Sequence, residues 1–169
     1  MAGHTRLPTF SMKKTSLACQ GKPWSERWTS SASRWQAWPV VMARDGTVWY
    51  FGEISQEFDE GELVSLEGSW KAGRDGAKPG IVMLADPRAG VTYRQEWALG
   101  NAEDAAEVLE TGASASTPGA SCEGTCVVTR DFTPISPGAE EHKYYAPGVG
   151  LILEVNPETG DRVELVALR

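Results

Sequence analysis

The fold of this 169-residue chain is decided by residues 140–168, which read EEHKYYAPGVGLILEVNPETGDRVELVAL. Residues 151–155 and 162–168 are rich in aliphatic and β-branched side chains, and the segment NPETGD between them has the composition of a turn. In the second run, apolar residues alternate with Arg162 and Glu164, as expected for a strand with one buried face. The stretch therefore predicts two antiparallel strands, preceded by a break in strand pairing at APGVG.

Length and composition predict a single, mostly β domain. The chain has 18 glycines and 10 prolines, which favour many short strands and turns over long helices. Asp45-Gly46 lies between two apolar runs, which is a strong hairpin signal, and it predicts a tight hairpin over about residues 40–53. Further short strands are predicted at 63–66, 81–84, 91–97 and 126–130, with a loop at 111–124.

One segment is ambiguous between a short helix and a strand. Asn101 can cap a helix that runs to Glu110, with Glu103 and Asp104 in its first turn, where the helix dipole favours acids. The neighbouring strands favour a strand instead, because tertiary context often overrides local propensity. The sequence leaves both structures open for residues 101–110.

The beginning of the chain differs from the rest. Residues 1–38 show neither helical nor strand periodicity, so we expect an irregular, weakly ordered segment there and an antiparallel β domain at 39–169. Residues 12–19 resemble a bacterial lipoprotein signal. Only four residues separate Lys14 from Cys19, however, and this is too short for the apolar segment that a working signal needs.

The charge of the chain excludes some classes of partner. The net charge is −7, and residues 1–43 carry an excess of about five positive charges, which leaves about −12 for the rest. Nucleic acids and anionic membrane surfaces both require a basic face. No run of about 18 apolar residues is present, so no transmembrane segment is predicted. We expect a cation or a small amphipathic molecule as partner, and the sequence shows no evident protein partner.

Five motifs carry a resemblance to a group of proteins. They are DGTVWYFGE at 45–53, EGSW at 67–70, PGIVM at 79–83, YRQE at 93–96 and KYYAPGVGL at 143–151. Together they resemble exported bacterial β-sheet proteins of the lipoprotein-carrier (LolA-like) type. The resemblance implies a single curved antiparallel sheet, a half-barrel wrapped on an apolar ligand or a helix, without a catalytic motif. It also implies export, whereas the lack of a working signal favours the cytoplasm for the chain as it stands.

The densest acidic run, between residues 53 and 67, is a candidate cation site. It contains six acids and no lysine or arginine. Ca²⁺ takes about six to eight oxygen ligands from carboxylates and carbonyls on a flexible loop. The sequence therefore predicts a calcium site, although the spacing of a calcium-binding helix-loop-helix is absent and a solvated acidic loop is the alternative. The predicted ligands are Glu57, Asp59, Glu60 and Glu62.

His142 is the candidate catalytic residue, since it is the one histidine within residues 39–169. It follows Glu140 and Glu141. A histidine oriented by a carboxylate can act as a general base on water, and Glu141 itself is the other candidate base. The alternative is an ordinary exposed strand residue.

The pair Cys122 and Cys126 has three possible states. The two residues can close a small disulfide loop, supply zinc ligands together with His142, or remain free thiols. The sequence leaves these states open.

Two functions of different class follow. One is hydrolysis of an amphipathic acyl ester or lactone, in which a carboxylate-bound Ca²⁺ polarises the carbonyl while Glu141 or His142 activates water. The other is non-catalytic binding of an acyl chain in an apolar pocket. The chain also resembles short calcium-dependent hydrolases of acyl-homoserine lactones, a likeness that no motif carries, and on that ground we expect the hydrolase. The residues expected to line the acyl pocket are Tyr50, Trp97, Tyr145 and Leu151.

Overall fold

The computed structural model describes residues 10–15, 36–37 and 40–168, the first two segments by their backbone alone. Throughout these residues the chain forms strands and no helix. The strands are β1 (Phe10–Thr15), β2 (Gln36–Ala37), β3 (Val40–Met42), β4 (Val48–Tyr50), β5 (Gly52–Ile54), β6 (Glu57–Asp59), β7 (Glu62–Ser65), β8 (Trp70–Lys71), β9 (Gly80–Met83), β10 (Thr92–Arg94), β11 (Ala105–Ser116), β12 (Ser121–Phe132), β13 (Glu140–Ala146), β14 (Gly150–Val155) and β15 (Arg162–Leu168).

The described strands divide among four sheets. The largest has the order β1-β15-β14-β13-β12-β11-β10, and the others are β2-β5-β8, β3-β4-β9 and β6-β7. The chain also divides into two compact units. The first contains β1 with residues 108–130 and 140–168, and the second contains residues 36–37, 40–107 and 131–139. A mostly β, antiparallel fold is therefore confirmed, but its strands form several sheets instead of one, and the half-barrel stays a prediction.

The prediction for residues 1–38 lies mostly outside the described residues. Within that region, β1 pairs antiparallel with β15, and β2 pairs antiparallel with β5. The expectation of an irregular segment at the remaining positions stays a prediction.

The predicted hairpin near the end of the chain is confirmed as the antiparallel pairing of β14 with β15. In the turn between them, Asn156 Oδ1 accepts hydrogen bonds from the backbone N–H groups of Glu158 and Thr159 at 2.9 and 3.0 Å. Asparagine commonly stabilises turns in this way. The stretch APGVG does not break the strand pairing. It forms a tight turn that joins β13 to β14 as a second hairpin, in which Ala146 pairs with Gly150.

A bulge in β14 lets two consecutive residues enter the core. Tyr144 lies opposite Leu153 and Tyr145 lies opposite Leu151, so Ile152 is the extra residue of the bulge. Adjacent side chains of a regular strand point to opposite faces, yet Ile152 and Leu153 are both buried. The bulge therefore increases the apolar area that β14 contributes to the core.

The β11–β12 hairpin folds back over the rest of the first unit. At its tip, Gly119 donates its N–H to the carbonyl of Leu165 in β15 at 2.8 Å. Since β15 lies three positions from β12 in the strand order, the tip reaches across the strands between them. Ala113 and Ala115 pack against the core that contains Ile152 and Leu165. The hairpin is thus the cover of this core.

The prediction of a loop at residues 111–124 is wrong, because these residues form the end of β11, a short turn and the start of β12. Serine, alanine and glycine have low strand propensity, which is why the composition indicated a loop. The turn between β11 and β12 nevertheless requires small side chains. A Cβ on Gly119 would lie 2.9 Å from the carbonyl oxygen of Leu165, so the two backbones approach too closely for larger residues.

A disulfide joins Cys122 and Cys126 within β12. Their Cα atoms are 5.6 Å apart, whereas four residues of regular strand span about 13 Å, so the chain loops out between them. Gly124 adopts a φ of 61° in this loop and donates its N–H to Ser114 Oγ at 2.8 Å. Both sulfurs lie in the core. Of the three states left open by the sequence the structure has the disulfide, which leaves neither sulfur as a thiolate ligand for zinc.

In the second unit, the predicted hairpin at Asp45-Gly46 is confirmed as the pairing of β3 with β4, in which Val41 lies opposite Trp49. Gly46 adopts a φ of 96°, a conformation that costs glycine less than any other residue. Thr47 donates its backbone N–H to Asp45 Oδ1 at 2.9 Å. Local turn chemistry therefore fixes this hairpin.

The core of the second unit is built around Trp70. Tyr50 packs its ring edge-on against Trp70, with 5.3 Å between the ring centres. The indole N–H of Trp70 donates to Glu96 Oε1 at 2.9 Å, and both side chains are buried. The polar end of the tryptophan is thereby satisfied inside the unit. The remaining buried members of the cluster are Ala77, Ala98 and Ala102.

The helix alternative for residues 101–110 is wrong. The carbonyl of Asp104 accepts the N–H groups of Gln95 and Glu96 at 2.8 and 3.0 Å, and β11 begins at the next residue. Ala106, which is fully buried, pairs with Tyr93 in β10. Pairing with β10 and burial of this segment outweigh the capping and dipole effects that favoured a helix.

We predict that Gly80→Ala destabilises the fold because β9 lies against the neighbouring backbone. A Cβ at this position would overlap the carbonyl oxygen of Gln95. We expect the free energy of unfolding, measured by chemical denaturation, to fall by about 3 kcal/mol. In the control Gly76→Ala, the Cβ has open space but the φ is 79°, so the expected loss is about 1 kcal/mol. Equal losses in both variants would contradict the steric argument.

We predict that the double variant Cys122→Ala, Cys126→Ala lowers the free energy of unfolding by about 2 kcal/mol, since a cross-link that closes a loop of roughly five residues restricts the unfolded chain by that amount. Reduction of the unmodified protein should give a similar loss. Thiol labelling in denaturant is the independent check. One of the three cysteines should react before reduction and all three after it, and three reactive thiols before reduction would rule out the disulfide.

Candidate functional site

The acidic hairpin predicted to bind Ca²⁺ is formed by β6 and β7. Its turn is Glu60-Gly61, with φ angles of 48° and 87°, the left-handed pair typical of a two-residue hairpin turn. Asp59 lies opposite Glu62, and these two side chains and Glu57 are exposed. Among the described residues, no group of three or more His, Cys, Asp or Glu side chains is arranged to hold a metal ion. The calcium site stays a prediction.

His142 lies in β13 with its ring beside a glutamate. Its Nε2 atom is 3.2 Å from Oε1 of Glu140, and Oε2 of Glu140 is 3.8 Å from Nη1 of Arg130. The His142 side chain is 28% exposed, so solvent reaches the ring. We call these three side chains the Arg130–Glu140–His142 group.

Glu141, the other predicted base, lies beside a lysine. Side chains alternate along a strand, so Glu141 points away from the face that His142 shares with Glu140. Its Oε2 atom is 3.5 Å from Nζ of Lys143. The carboxylate that orients His142 is therefore Glu140, whereas Glu141 is held in an ion pair.

Strand pairing places His142 in β13 and Arg162 in β15 on the same face of the sheet, with the apolar Val155 of β14 between them. His142 lies opposite Val155, and Val155 lies opposite Arg162, so the three side chains share one face. Arg162 Nη2 contacts Glu164 Oε1 at 2.8 Å. An imidazole beside a carboxylate can accept a proton from water, and guanidinium groups can stabilise negative charge that develops on an oxygen. The face thus contains the residue types that general-base hydrolysis uses.

Of the four residues predicted to line an acyl pocket, two belong to the first unit and two to the second. Tyr145 and Leu151 lie opposite each other in the first unit, where Tyr145 is buried and Leu151 is half-buried. Tyr50 and Trp97 belong to the second unit. The half-buried ring of Tyr50 packs against the core there, and its hydroxyl donates to Glu53 Oε2. The shared pocket stays a prediction.

Trp97 is exposed and lies close to two cations. Lys78 Nζ is 5.0 Å and Arg94 Cζ is 5.7 Å from the centre of its ring, within the range of cation–π interactions. Arg94 also contacts Glu103 at 3.2 Å. The backbone N–H of Gly100, which donates to Glu103 at 2.8 Å, and then the Arg94 guanidinium hold the pKa of the Glu103 carboxyl below its ordinary value. The surroundings of Trp97 are therefore charged, unlike those of an acyl pocket.

An apolar row crosses the sheet β3-β4-β9. Val41 lies opposite Trp49, and Trp49 lies opposite Ile81, so their side chains are neighbours on one face. Val41 is 48% exposed, Trp49 is 36% exposed and Ile81 is half-buried. We call these residues the Val41–Trp49–Ile81 row. The sequence prediction chose Tyr50 instead, although the period-two alternation of a strand places Trp49 and Tyr50 on opposite faces.

The second unit also has a shallow cleft of about 230 Å³. This volume is smaller than the roughly 300–1,000 Å³ of sites that enclose drug-sized ligands. Its lining mixes apolar side chains with charges of both signs, so it indicates no particular ligand chemistry. The lining side chains include Glu53, Ile54, Trp70, Lys71, Arg74 and Asp75.

Comparisons of the chain with protein-family models, curated proteins and solved structures found no match. Within the part of the chain that the structure describes, no helix has the length and hydropathy needed to cross a lipid bilayer. The proposed function therefore rests on the geometry of the described residues.

Proposed function

We propose that this chain is a non-catalytic module that binds small amphipathic molecules, with the Val41–Trp49–Ile81 row in contact with their acyl chains. The observation that carries the proposal is the exposure of adjacent apolar side chains on one face of a sheet. On the opposite face of β4, Tyr50 packs into the core around Trp70. The sheet therefore has a structural side and a side available to a ligand.

The open shape of the row limits its affinity. A flat face covers one side of an acyl chain, so each methylene contributes about half of the ~0.8 kcal/mol of full burial. A ten-carbon chain then contributes roughly 4 kcal/mol, which corresponds to a Kd of about 1 mM. We infer weak, rapidly reversible binding.

The charge of the protein selects the head group of the ligand. Outside residues 1–43 the chain carries about −12, so a carboxylate head group is repelled, whereas a neutral one is not. Exposed charges are screened by salt over about 10 Å at 0.1 M. The favoured ligand is accordingly an acyl chain with a neutral or cationic head, such as an acyl lactone.

Titration with N-decanoyl homoserine lactone, followed by NMR chemical shifts, tests this proposal. We expect shifts at Val41, Trp49 and Ile81 and a Kd of about 1 mM. Trp49→Ser should raise the Kd roughly fivefold, because a loss of about 1 kcal/mol of apolar contact has that effect. Decanoate, with its negative head group, should bind more weakly at low salt.

The matched control is Leu99→Ser, since Leu99 is also exposed but lies outside the row. This variant should bind the lactone as the unmodified protein does. An unchanged Kd in Trp49→Ser would contradict the proposal. Shifts at Tyr50, Trp97, Tyr145 and Leu151 would instead support the pocket predicted from the sequence.

Hydrolysis of the same class of molecule is the second candidate function, and the Arg130–Glu140–His142 group favours it. In this reaction His142 takes a proton from water while the water oxygen attacks the lactone carbonyl carbon. The ring C–O bond then breaks, and the leaving alkoxide oxygen takes the proton from the imidazolium, which gives the ring-opened acid. Glu140 stabilises the imidazolium between these steps. A calcium ion held by Glu57, Asp59, Glu60 and Glu62 would polarise a carbonyl as a Lewis acid; these four residues belong to the second unit, whereas His142 belongs to the first.

For the second candidate, we predict that His142→Ala lowers the rate of lactone ring opening by about 10²–10⁴-fold, the usual contribution of a general base. Glu140→Gln should also lower it, because the imidazolium loses its counter-charge. Ring opening is followed by pH-stat, with added Ca²⁺ and with EDTA. A rate that is unchanged by EDTA would contradict only the calcium-assisted form of the reaction.

The control for these variants is Glu158→Gln, an exposed position in the turn between β14 and β15, which should leave the rate unchanged. An equal loss in Glu141→Gln and Glu140→Gln would contradict the assignment of Glu140. Absence of ring opening by the unmodified protein would exclude the hydrolase and leave the binding proposal to the NMR titration.

A further inference from the structure

The β6–β7 hairpin is anchored at its base. Ser55 and Ser69 flank the hairpin in sequence, and they are joined by two hydrogen bonds: Ser55 N–H donates to Ser69 Oγ at 2.9 Å, and Ser69 Oγ donates to the Ser55 carbonyl at 3.0 Å. Asn101 Nδ2 donates to the Ser69 carbonyl at 2.7 Å. The base is therefore fixed to the second unit.

Beyond this base the hairpin exposes aliphatic side chains. Leu63 is 48% exposed and Val64 is 56% exposed. Glu57 pairs with Ser65 and Phe58 pairs with Leu63, so Val64 is the extra residue of a bulge. A two-stranded hairpin is marginally stable without further packing, and these side chains are the surface that such packing would cover.

The outer edges of the hairpin carry backbone groups that a further strand could pair with. Among the described residues, β6 and β7 form a sheet of two strands, so each strand has one edge that no described strand pairs with. An edge of this kind is a template for an added strand, and strand addition is a common mode of peptide recognition. The hairpin thus offers backbone hydrogen bonds as well as apolar contacts.

The negative charge of the hairpin indicates the charge of the strand that would be added. Six acids and no lysine or arginine lie between residues 53 and 67. Like charges on opposing strands are destabilising and opposite charges are stabilising. A second copy of this hairpin would bring acids against acids, whereas a basic segment would bring lysine or arginine against them.

We propose that the β6–β7 hairpin is a docking surface for a basic polypeptide segment, which adds as an extended strand to an outer edge and covers Leu63 and Val64. The acids select the charge of the partner, and the aliphatic side chains contribute the apolar contact. This surface is separate from the Val41–Trp49–Ile81 row, so it does not depend on binding of an amphipathic molecule.

The probe is a fluorescent ten-residue peptide of alternating lysine and valine, and binding to the full chain is followed by anisotropy at low salt. We expect saturable binding. The triple variant Glu57→Gln, Asp59→Asn, Glu62→Gln should raise the Kd at least tenfold, and so should Leu63→Ser with Val64→Ser. The matched control is Glu110→Gln, Glu123→Gln, Glu158→Gln, which changes the net charge equally at exposed positions elsewhere. This control should change the Kd less than twofold.

Two further peptides test the mode of binding. An alternating glutamate and valine peptide should not bind, and a lysine and valine peptide with every second amide N-methylated should bind at least tenfold more weakly, because it cannot pair along an edge. Equal Kd values for the two charge variants, or for the methylated and unmethylated peptides, would overturn the proposal. So would a dimer in sedimentation that Leu63→Ser with Val64→Ser dissociates, since the occupant would then be a second copy of the chain.

Discussion

The first unit depends on one close backbone contact, the hydrogen bond from Gly119 to the carbonyl of Leu165. A Cβ at Gly119 would meet backbone atoms of both Leu165 and Ala167 at 2.8–2.9 Å, so glycine lets the turn between β11 and β12 lie directly on β15. The contact places the hairpin over Ile152 and brings the disulfide-bonded Cys122 into the same core. A segment with weak strand propensity is therefore ordered by what it covers.

The parts of the fold that the sequence predicted are those with local signals. Asp45-Gly46 and the turn at Asn156 carry their own hydrogen-bonding chemistry, so a short window of sequence was sufficient. Residues 101–110 were left open between helix and strand, and residues 111–124 were predicted wrongly as a loop, because the structure of both segments depends on distant partners. The acids near Asn101 favour a helix in isolation, and the small residues around Gly119 favour a loop, but strand pairing and burial determine the outcome.

The candidate sites also differ in whether they could be predicted from local sequence or depend on distant strands. His142 could be chosen from residue type, and the choice of Glu140 over Glu141 required only the alternation of a strand. The proximity of Arg130 to Glu140 depends on the pairing of strands and was not predictable from either segment alone. Likewise, Trp49 belongs to an apolar row only because the register places Val41 and Ile81 beside it. Composition showed the acidic hairpin but not the arrangement of its carboxylates.

The two-sided character of β4 has a consequence for sequence changes in this strand. Trp49 faces outward and Tyr50 faces the core, so substitution at position 49 alters the surface while the packing around Trp70 is retained. Insertion or deletion of a single residue in this strand would do the opposite, because a slip of one position exchanges the two faces. Point substitution on the outer face can therefore change the surface chemistry of this sheet without loss of the core, whereas a change in the length of the strand would disrupt the core.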